Sequence, residues 1–569
     1  MIDRVYRRAV LAGGAVLIGA CAGGGEPTTA PPSLERVQPP GASFACAGSD
    51  VAVLAIGEVR TAIAGGNLCL RASAAAEYMA HGFFGSTVAS AKTQVGITGF
   101  GITTSSGSSA ALGSLAAPGT MTGLDGMTPA QSLELGLRNF ERNVLAPRMG
   151  AARMAMKNRA LRTTTAAVPA VGDVLQLNAS SSGCTSQNYR SARVAAVTNR
   201  AIVVADVTNP AGGFTDAEYQ SIGVTFDTLV DPLDRAAFGD PTDIDANGRI
   251  ILFYTRVVNE LTPAGSQGIV EGFFHPRDLF PRTATATLEG CAGSNVAEMF
   301  YLIVPDPTGT INSNVRTKAD VQRLTVSVVA HEYQHLINSA RRLYVNNADD
   351  FEEVWLNEGL SHIAEELLFY RASGLPSRSN INATTITASS RRIDAFNQHQ
   401  VGNVGRYTLF LEGPEASSPY ADNDSLSNRG AIWSFLRYAA DRKATTDGTI
   451  WQQLVNARTT GIPNLTAVFG ADVVNWVRDW SISAYTDDFT STSSTFQQPS
   501  WNFRSIYPRL GITTFPIHLL PLTNAVQSTQ TLSGGGAMYT VFGVPAGVTA
   551  GLAWSVTAPA VAISIVRTK

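Results

Sequence analysis

The 569-residue sequence predicts a multidomain α+β protein, in which a β-rich lobe and a following helical lobe are flanked by small all-β modules. The length indicates several domains, because one hydrophobic core ordinarily serves a shorter chain. Short runs rich in Val and Ile, such as VGDVLQLN and AIVVADV, predict strands in residues 166–305. Helical patterns dominate residues 306–492, and short strands separated by Gly and Pro return from residue 493.

The boundaries of the segments follow changes in composition. A stretch rich in Pro, Gly and Thr predicts a flexible tether, and MTPAQSLELGLRNFERNVL predicts one helix with a Thr-Pro start. The predicted segments are a signal peptide (1–21), a tether (22–42), a small β module (43–105), a linker and helix (106–165), the β-rich lobe (166–305), the helical lobe (306–492) and a C-terminal all-β module (493–569).

The N-terminus has the pattern of an export signal. Arg4, Arg7 and Arg8 precede an apolar run, Ala9–Ala20, which is too short to span a bilayer. Cys21 follows directly and the sequence before it resembles a bacterial lipobox, which implies lipid attachment to Cys21. We therefore expect an exported lipoprotein of the outer membrane, periplasm or cell surface. The alternative is an ordinary secretory signal with an incidental cysteine, and hence a secreted protein.

The charge balance gives no reason to expect a polyanionic partner. Charged residues make up 15% of the chain, against roughly 25% in typical soluble proteins. The net charge is −3, so neither nucleic acid nor an anionic membrane surface is an expected partner. A membrane would be reached only through the N-terminal lipid.

The cysteines predict disulfides rather than a metal site. With Cys21 acylated, four remain, and an even number in an exported chain permits two disulfides. Cys46 with Cys69 is the favoured pair because both lie in one small segment, and Cys184 with Cys291 would then follow. None of them has the CxxC spacing of a cysteine metal site.

The stretch VVAHEYQHLINSARR contains two of the seven histidines, His331 and His335, four residues apart. On a helix this spacing places both imidazoles on one face, as a zinc site requires, and Glu332 stands beside them. A catalytic zinc site needs a third ligand, and Glu358 in the helical stretch DFEEVWLNEGLSHIAEELLF is the candidate. Packing of the two helices side by side would bring Glu358 to the metal.

HEYQH followed by WLNEGLSHIAEE resembles the gluzincin metallopeptidases, and most closely the hyicolysin-type neutral metallopeptidase family. The resemblance implies a gluzincin-like catalytic core formed by the β-rich lobe and the helical lobe. It implies one Zn²⁺ per chain, held by His331, His335 and Glu358. Peptide bonds of protein or peptide substrates would be hydrolysed by a zinc-activated water, with Glu332 as general base.

Two further roles follow from the resemblance. Related enzymes place a carboxylate four residues after the third ligand, where it orients a zinc histidine; here His362 holds that place, and Glu365 returns to the same helix face. An oxyanion donor is expected downstream of the third ligand. Tyr420 is the first candidate by order in the chain, with Tyr407 and Tyr438 behind it.

Two other stretches resemble segments that bind substrate or Ca²⁺ in other proteins. SNVAEMFYLIVPDP is similar to the edge strand along which gluzincins bind extended substrate, and an internal core strand is the alternative. Asp243–Gly248 (DIDANG) matches the first half of an EF-hand loop, but position twelve is Tyr254. We favour an Asn-Gly hairpin there, so Ca²⁺ is not supported.

Two alternatives to an endopeptidase stay open. The first is a surface binding or adhesion protein on an inactive gluzincin scaffold, which terminal β modules would suit. The second is an aminopeptidase, which needs an acidic anchor for the free amine of its substrate. No sequence motif marks such an anchor, although a single acidic residue anywhere in the chain would suffice.

Overall fold

The structure is a computed structural model that describes residue 46 and residues 51–63, 66–104, 127–160, 167–266, 268–470 and 472–569. The predicted signal peptide, Cys21 and the tether lie outside the described residues. No helix within the described ranges combines the length and the apolar character needed to cross a membrane.

Strands of the described residues form three sheets. In chain order they are β1 (Val51–Ala52), β2 (Val59–Ile63), β3 (Gly66–Arg71), β4 (Ala76–Phe84), β5 (Lys92–Phe100), β6 (Thr103–Thr104), β7 (Val174–Asn178), β8 (Tyr189–Val197), β9 (Ala201–Asp206), β10 (Ile250–Tyr254), β11 (Gly272–Phe274), β12 (Met299–Leu302), β13 (Gln527–Ser533), β14 (Ala537–Val544), β15 (Thr549–Val556) and β16 (Val561–Arg567).

Helices lie between β6 and β13. In chain order they are α1 (Pro129–Phe140), α2 (Met149–Ala160), α3 (Asp216–Thr225), α4 (Asp231–Phe238), α5 (Arg256–Glu260), α6 (Lys318–Ala340), α7 (Val354–Ser373), α8 (Ala383–Thr387), α9 (Ser390–His399), α10 (Val401–Glu412), α11 (Leu426–Lys443), α12 (Ile450–Val455), α13 (Gly461–Phe469), α14 (Val473–Thr486) and α15 (Phe503–Arg509). The chain is therefore mixed α+β and multidomain, as the sequence predicts at that level.

The two terminal β segments form one sandwich. One of its sheets has the order β1-β3-β15-β5-β13, and the other β2-β16-β4-β14-β6. β15 lies between β3 and β5, and β16 lies between β2 and β4, so each sheet combines strands from both ends of the chain. The two terminal segments, predicted as separate modules, share these sheets, and every strand except β1 pairs with a strand from the opposite end. Residues 493–526 also contain a helix, α15, before the strands resume.

The sandwich is fixed to the helical lobe through buried polar contacts. Its interior forms one hydrophobic cluster, while the outer face of the β4–β14 sheet joins the cluster of the helical lobe. His81 on β4 lies 2.8 Å from the hydroxyl of Ser481 on α14, and the Tyr539 hydroxyl donates to the Ser481 carbonyl at 2.7 Å. Burial lowers the pKa of His81 to about 3, so this imidazole is neutral in the interface.

A six-stranded mixed sheet lies beside the helical lobe, in the order β11-β12-β10-β9-β8-β7. β12 runs parallel to β10 on one side and pairs antiparallel with β11 on the other. The stretch proposed as the edge strand is therefore an internal strand, and Gly272–Phe274 forms the edge instead. β11 packs against α6, so this edge lies next to the helix that carries HEYQH.

α6 and α7 pack side by side in the middle of the helical lobe, with α11 against α7. A capping box starts α6, in which Thr317 accepts from the Asp320 N–H and Asp320 from the Thr317 N–H. Gly374, in a left-handed conformation, ends α7. Trp501 is buried against α7, with its ring centroid 5.2 Å from that of Phe369 and 6.0 Å from that of Tyr370, and such dense packing restricts the movement of α7.

The structure joins Cys46 to Cys69 and Cys184 to Cys291. The first bridge attaches the chain before β1 to β3, and the second joins the loop between β7 and β8 to the loop before β12. These are the two pairings that the sequence favours. Two disulfides fit a protein that folds in an oxidising compartment.

Truncation after Val526 tests the interleaved sandwich. Removing β13–β16 takes away the strands between β2 and β4 and between β3 and β5, so we expect residues 51–104 to lose their protection from trypsin. Mass spectrometry of a timed digest measures this, with the intact chain as control. Unchanged protection of residues 51–104 would mean that the N-terminal strands fold as a module of their own.

Candidate metal centre

His331 and His335 lie one turn apart on α6 and face Glu358 on α7. The two Nε2 atoms are 3.2 Å apart. Glu358 Oε2 lies 3.5 Å from His331 Nε2, and Oε1 lies 3.4 Å from His335 Nε2. The ligand atoms of all three residues fall within 4.8 Å of one another, so they can hold a metal ion.

The other ring nitrogens are held by acceptors. His331 Nδ1 lies 2.9 Å from Glu365 Oε1, and His335 Nδ1 lies 3.0 Å from Asn357 Oδ1. Since carboxylate and amide oxygens accept, each Nδ1 donates to its partner, and each Nε2 would become a metal-binding lone pair once an ion replaced its proton. Two imidazole nitrogens and one carboxylate are a donor set that Zn²⁺ prefers, and the residues therefore fit zinc.

The electrostatic field at this point favours a cation. Burial lowers the pKa of His331, but hydrogen bonds to Glu358 and Glu365 outweigh burial and raise that pKa to about 10. Burial raises the pKa of Glu358, and the charge of Arg429 and the proximity of His335 offset this, leaving the pKa well below its usual range. Glu358 is thus an ionised carboxylate without exposure to solvent, and a divalent ion would replace the proton that His331 otherwise attracts.

Glu365 lies where the predicted orienting role needs a carboxylate. Its Oε1 contacts His331 Nδ1 and also lies 3.2 Å from Nδ1 of the buried His362, while Oε2 lies 3.5 Å from Arg406. Burial raises its pKa, but the neighbouring His362 and Arg406 more than offset this and hold the pKa of Glu365 well below the usual range. His362 therefore adjoins the carboxylate that contacts His331, and the ring centroids of the two histidines are 4.9 Å apart.

Glu332 points toward the mixed sheet. Its Oε2 accepts from the Phe274 N–H at 2.8 Å, on the edge strand β11. The side chain is buried, with 4% of its surface exposed, and one of its oxygens lies within 4.8 Å of ligand atoms of His335 and Glu134. The general-base candidate is therefore fixed by backbone next to the candidate ligands.

Sequence reasoning missed several residues of this centre. Glu134 reaches it from α1, and burial together with the charges of Glu332 and Glu358 raises the pKa of Glu134 well above its usual range. Arg429 on α11 places Nη1 2.8 Å from Glu358 Oε2 and is paired through its other nitrogens with Asp424. Each of these two residues is a charged residue within an apolar helical stretch, Glu134 in SLELGL and Arg429 in SNRGAIWSF. That pattern is the sequence signal that could have identified them.

Tyr420 does not lie at the centre. Its hydroxyl donates to the Ser86 carbonyl of the sandwich at 2.9 Å. The Tyr407 hydroxyl accepts from Gln498 at 3.4 Å, and the Tyr438 hydroxyl donates to a backbone carbonyl at 2.7 Å. The oxyanion role expected for Tyr420 is therefore not supported, because the loop before α11 turns this side chain toward the sandwich. Arg429 is the buried hydrogen-bond donor that does adjoin Glu358.

Asp243, Asp245 and Glu298 bring carboxylate oxygens together before β10. Glu298 is already satisfied by the Thr242 hydroxyl at 2.7 Å and the Ile244 N–H at 3.0 Å. Asp243 accepts from backbone N–H groups of the same loop. These contacts account for the carboxylates without an ion, so Ca²⁺ stays unsupported.

An HExxH helix completed by a glutamate from a second helix is the ligand arrangement of one class of zinc-dependent hydrolases. The chain is 30% identical over 210 residues to the neutral metalloprotease ShpI of Staphylococcus hyicus. The match covers 37% of this chain and 44% of that protein, so the chain spans less than half the length of this relative. No family model matches the chain. The partial similarity and the His/His/Glu group together support a zinc metallopeptidase.

Glu365→Gln tests the carboxylate behind His331. A neutral amide orients the imidazole less firmly, so we expect zinc affinity to fall roughly 10–100-fold. Competition with a fluorescent chelator measures the Kd. Glu366→Gln is the matched control, because Glu366 is equally part of α7 but pairs with Arg437 and Trp501. An equal loss of affinity in both variants would show that disturbance of the helix, and not the contact with His331, is responsible.

Proposed function

We propose that the chain is an exported zinc metallopeptidase of the gluzincin type, most like the hyicolysin-type neutral metallopeptidases, that hydrolyses peptide bonds in protein or peptide substrates. The observation that carries the proposal is the convergence of His331, His335 and Glu358 within 4.8 Å, with Glu332 at their side. The partial similarity to a neutral metalloprotease supports the same class. One zinc ion per chain is proposed.

In this mechanism His331, His335 and Glu358 would hold the zinc ion, and Glu365 would keep His331 in its ligating tautomer. Zinc supplies a Lewis acid that polarises the scissile carbonyl and lowers the pKa of a water molecule. The Phe274 N–H fixes the direction of the Glu332 carboxylate. Glu332 accepts the proton of the attacking water and delivers it to the leaving amine, as general base and then general acid.

An extended substrate would be placed along β11. This strand is the edge of the mixed sheet and packs against α6. A peptide added there would be held mainly through main-chain hydrogen bonds, which suits cleavage of varied sequences. Arg429 is the candidate to stabilise developing negative charge, since it is the buried donor beside Glu358.

Export through a lipoprotein signal, with acylation at Cys21, is part of the proposal. The N-terminal sequence supports it, and the two disulfides suit the oxidising compartment that such a protein would enter. An ordinary secretory signal gives the alternative of a secreted enzyme. Among the other readings, an aminopeptidase gains one supporting observation, because Glu134 is an acidic residue beside the candidate ligands.

Glu332→Gln tests the proposed chemistry. The amide cannot accept a proton, so we expect cleavage of denatured casein to be abolished while one zinc ion per chain is retained. Metal analysis and a casein assay with and without chelator measure the two quantities. His331→Ala is the companion variant and should lose both the zinc and the cleavage.

Undiminished casein cleavage by Glu332→Gln would refute the assignment of the general base. Cleavage of one long peptide blocked at both termini separates the endopeptidase from the aminopeptidase, since an aminopeptidase leaves that peptide intact. Zinc binding without any cleavage by the unaltered chain would instead favour the inactive binding scaffold.

A further inference from the structure

We propose that α1 is an intramolecular inhibitor, which inserts Glu134 into the metal centre and covers the substrate edge of the sheet. Activity would then require α1 to move away from α6 and α7. This inference rests on the proposed zinc peptidase function and adds its regulation. Three groups of contacts carry it: Glu134 at the candidate ligands, Arg138 at β11, and the end of α1 at the two zinc-binding helices.

Glu134 is directed at the candidate metal position. Its carboxylate belongs to a group with Glu332 and His335 in which the ligand atoms lie within 4.8 Å of one another. The residue is 6% exposed, and among the described residues its Oε2 has no hydrogen-bond partner. Arg138 Nη2 lies 4.0 Å from this oxygen, beyond hydrogen-bond distance. A buried carboxylate needs a partner, and an ion held by His335 would supply one.

Arg138, one turn further along α1, covers the edge strand. Its Nη2 donates to the Phe274 carbonyl at 3.4 Å, while the Phe274 N–H is taken by Glu332. Both backbone groups of Phe274 are therefore engaged by residues outside the sheet. A peptide paired along β11 would need this edge, so α1 and an extended substrate compete for the same place.

The end of α1 is fastened to both zinc-binding helices. Glu141 accepts from the Ser339 hydroxyl of α6, and it is also paired with Arg138 at 3.0 Å. Arg142 pairs with Glu353, the residue before α7, with Nη2 2.9 Å from Oε1. These contacts set the position of the helix along α6 and α7, and with it the depth at which Glu134 enters.

The closed state of the centre agrees with inhibition rather than turnover. A catalytic zinc site keeps one position open for solvent and substrate. Here His331 is 7% exposed, Glu332 4%, and His335 and Glu358 have no exposed surface. α1 contributes to this closure, since it contacts α7 and places Glu134 beside His335 and Glu332. An anchor for a free amine is the competing role of Glu134, and the test below separates the two.

The test uses the full chain loaded with Co²⁺ and acetohydroxamate as a small probe for the open metal position. In the unaltered protein the probe must displace the tethered Glu134 carboxylate. Since a tethered group acts at a high effective concentration, Glu134→Gln should bind the probe about tenfold more tightly or better. The visible spectrum of bound Co²⁺ should change, and cleavage of a doubly blocked peptide should rise.

Glu366→Gln is the matched control, because it makes the same change at a buried glutamate that pairs with Arg437 and Trp501 rather than with the candidate ligands. It should leave the probe affinity and the Co²⁺ spectrum as they are. Glu134→Asp is a second variant in case the amide disturbs folding, and it should show smaller shifts in the same direction. Thermal melting of each variant establishes that it is folded.

Unchanged probe affinity and spectrum in both folded Glu134 variants would overturn the proposal. Weaker cleavage of a free-amine peptide in Glu134→Gln, with an N-acetylated peptide unaffected, would also overturn it and assign Glu134 as an amine anchor. Failure of the proposed function has a different signature. In that case the unaltered chain and His331→Ala would bind Co²⁺ equally, whatever stands at position 134.

Discussion

The packing of α6 on α7 is the contact on which the candidate metal centre depends. It places two imidazole nitrogens 3.2 Å apart, opposite an ionised carboxylate that has no contact with solvent. Such a concentration of donors and negative charge is costly in a protein interior unless a cation is present. Arg429 and Arg406 compensate part of that charge. The buried residues around α6 and α7 then hold the geometry, because a densely packed core admits little relaxation.

Local spacing made the convergence of the candidate metal ligands predictable. The four-residue interval between His331 and His335 fixes their common face on any helix, and Glu358 stands on the next strongly helical stretch. Glu365 could be anticipated by the same argument, since it shares a face with Glu358. The disulfides could be anticipated because only four cysteines remained to be paired. These features were predictable because each depends on residue spacing within a helix or on a choice among few cysteine pairings.

The remainder depends on contacts that no local pattern encodes. Glu134 lies on a helix nearly two hundred residues before Glu332. The sequence around HEYQH therefore could not predict that Glu134 lies beside the candidate ligands. The position of Tyr420 in the chain does not predict where its side chain points. In the structure its hydroxyl donates to the Ser86 carbonyl of the sandwich. Likewise the sequence of β12 is compatible with an edge strand or with a central strand. Its pairing with β11 on one side and β10 on the other makes it a central strand. The sequence of each terminal segment predicts a β module of its own. In the structure, however, all of these strands except β1 pair with strands from the opposite end of the chain.

That interleaving has a consequence for the order of folding. Phe84 pairs with Val561 and Arg60 with Ile565, so closing the sandwich requires contacts between segments very far apart in the chain. Such nonlocal pairing is intrinsically slow, because a long loop must be closed before any pairing energy is gained. Strands β2–β6 thus wait for partners synthesised after the whole helical lobe. A polypeptide that cannot complete its β domain early remains suited to threading through a translocation channel.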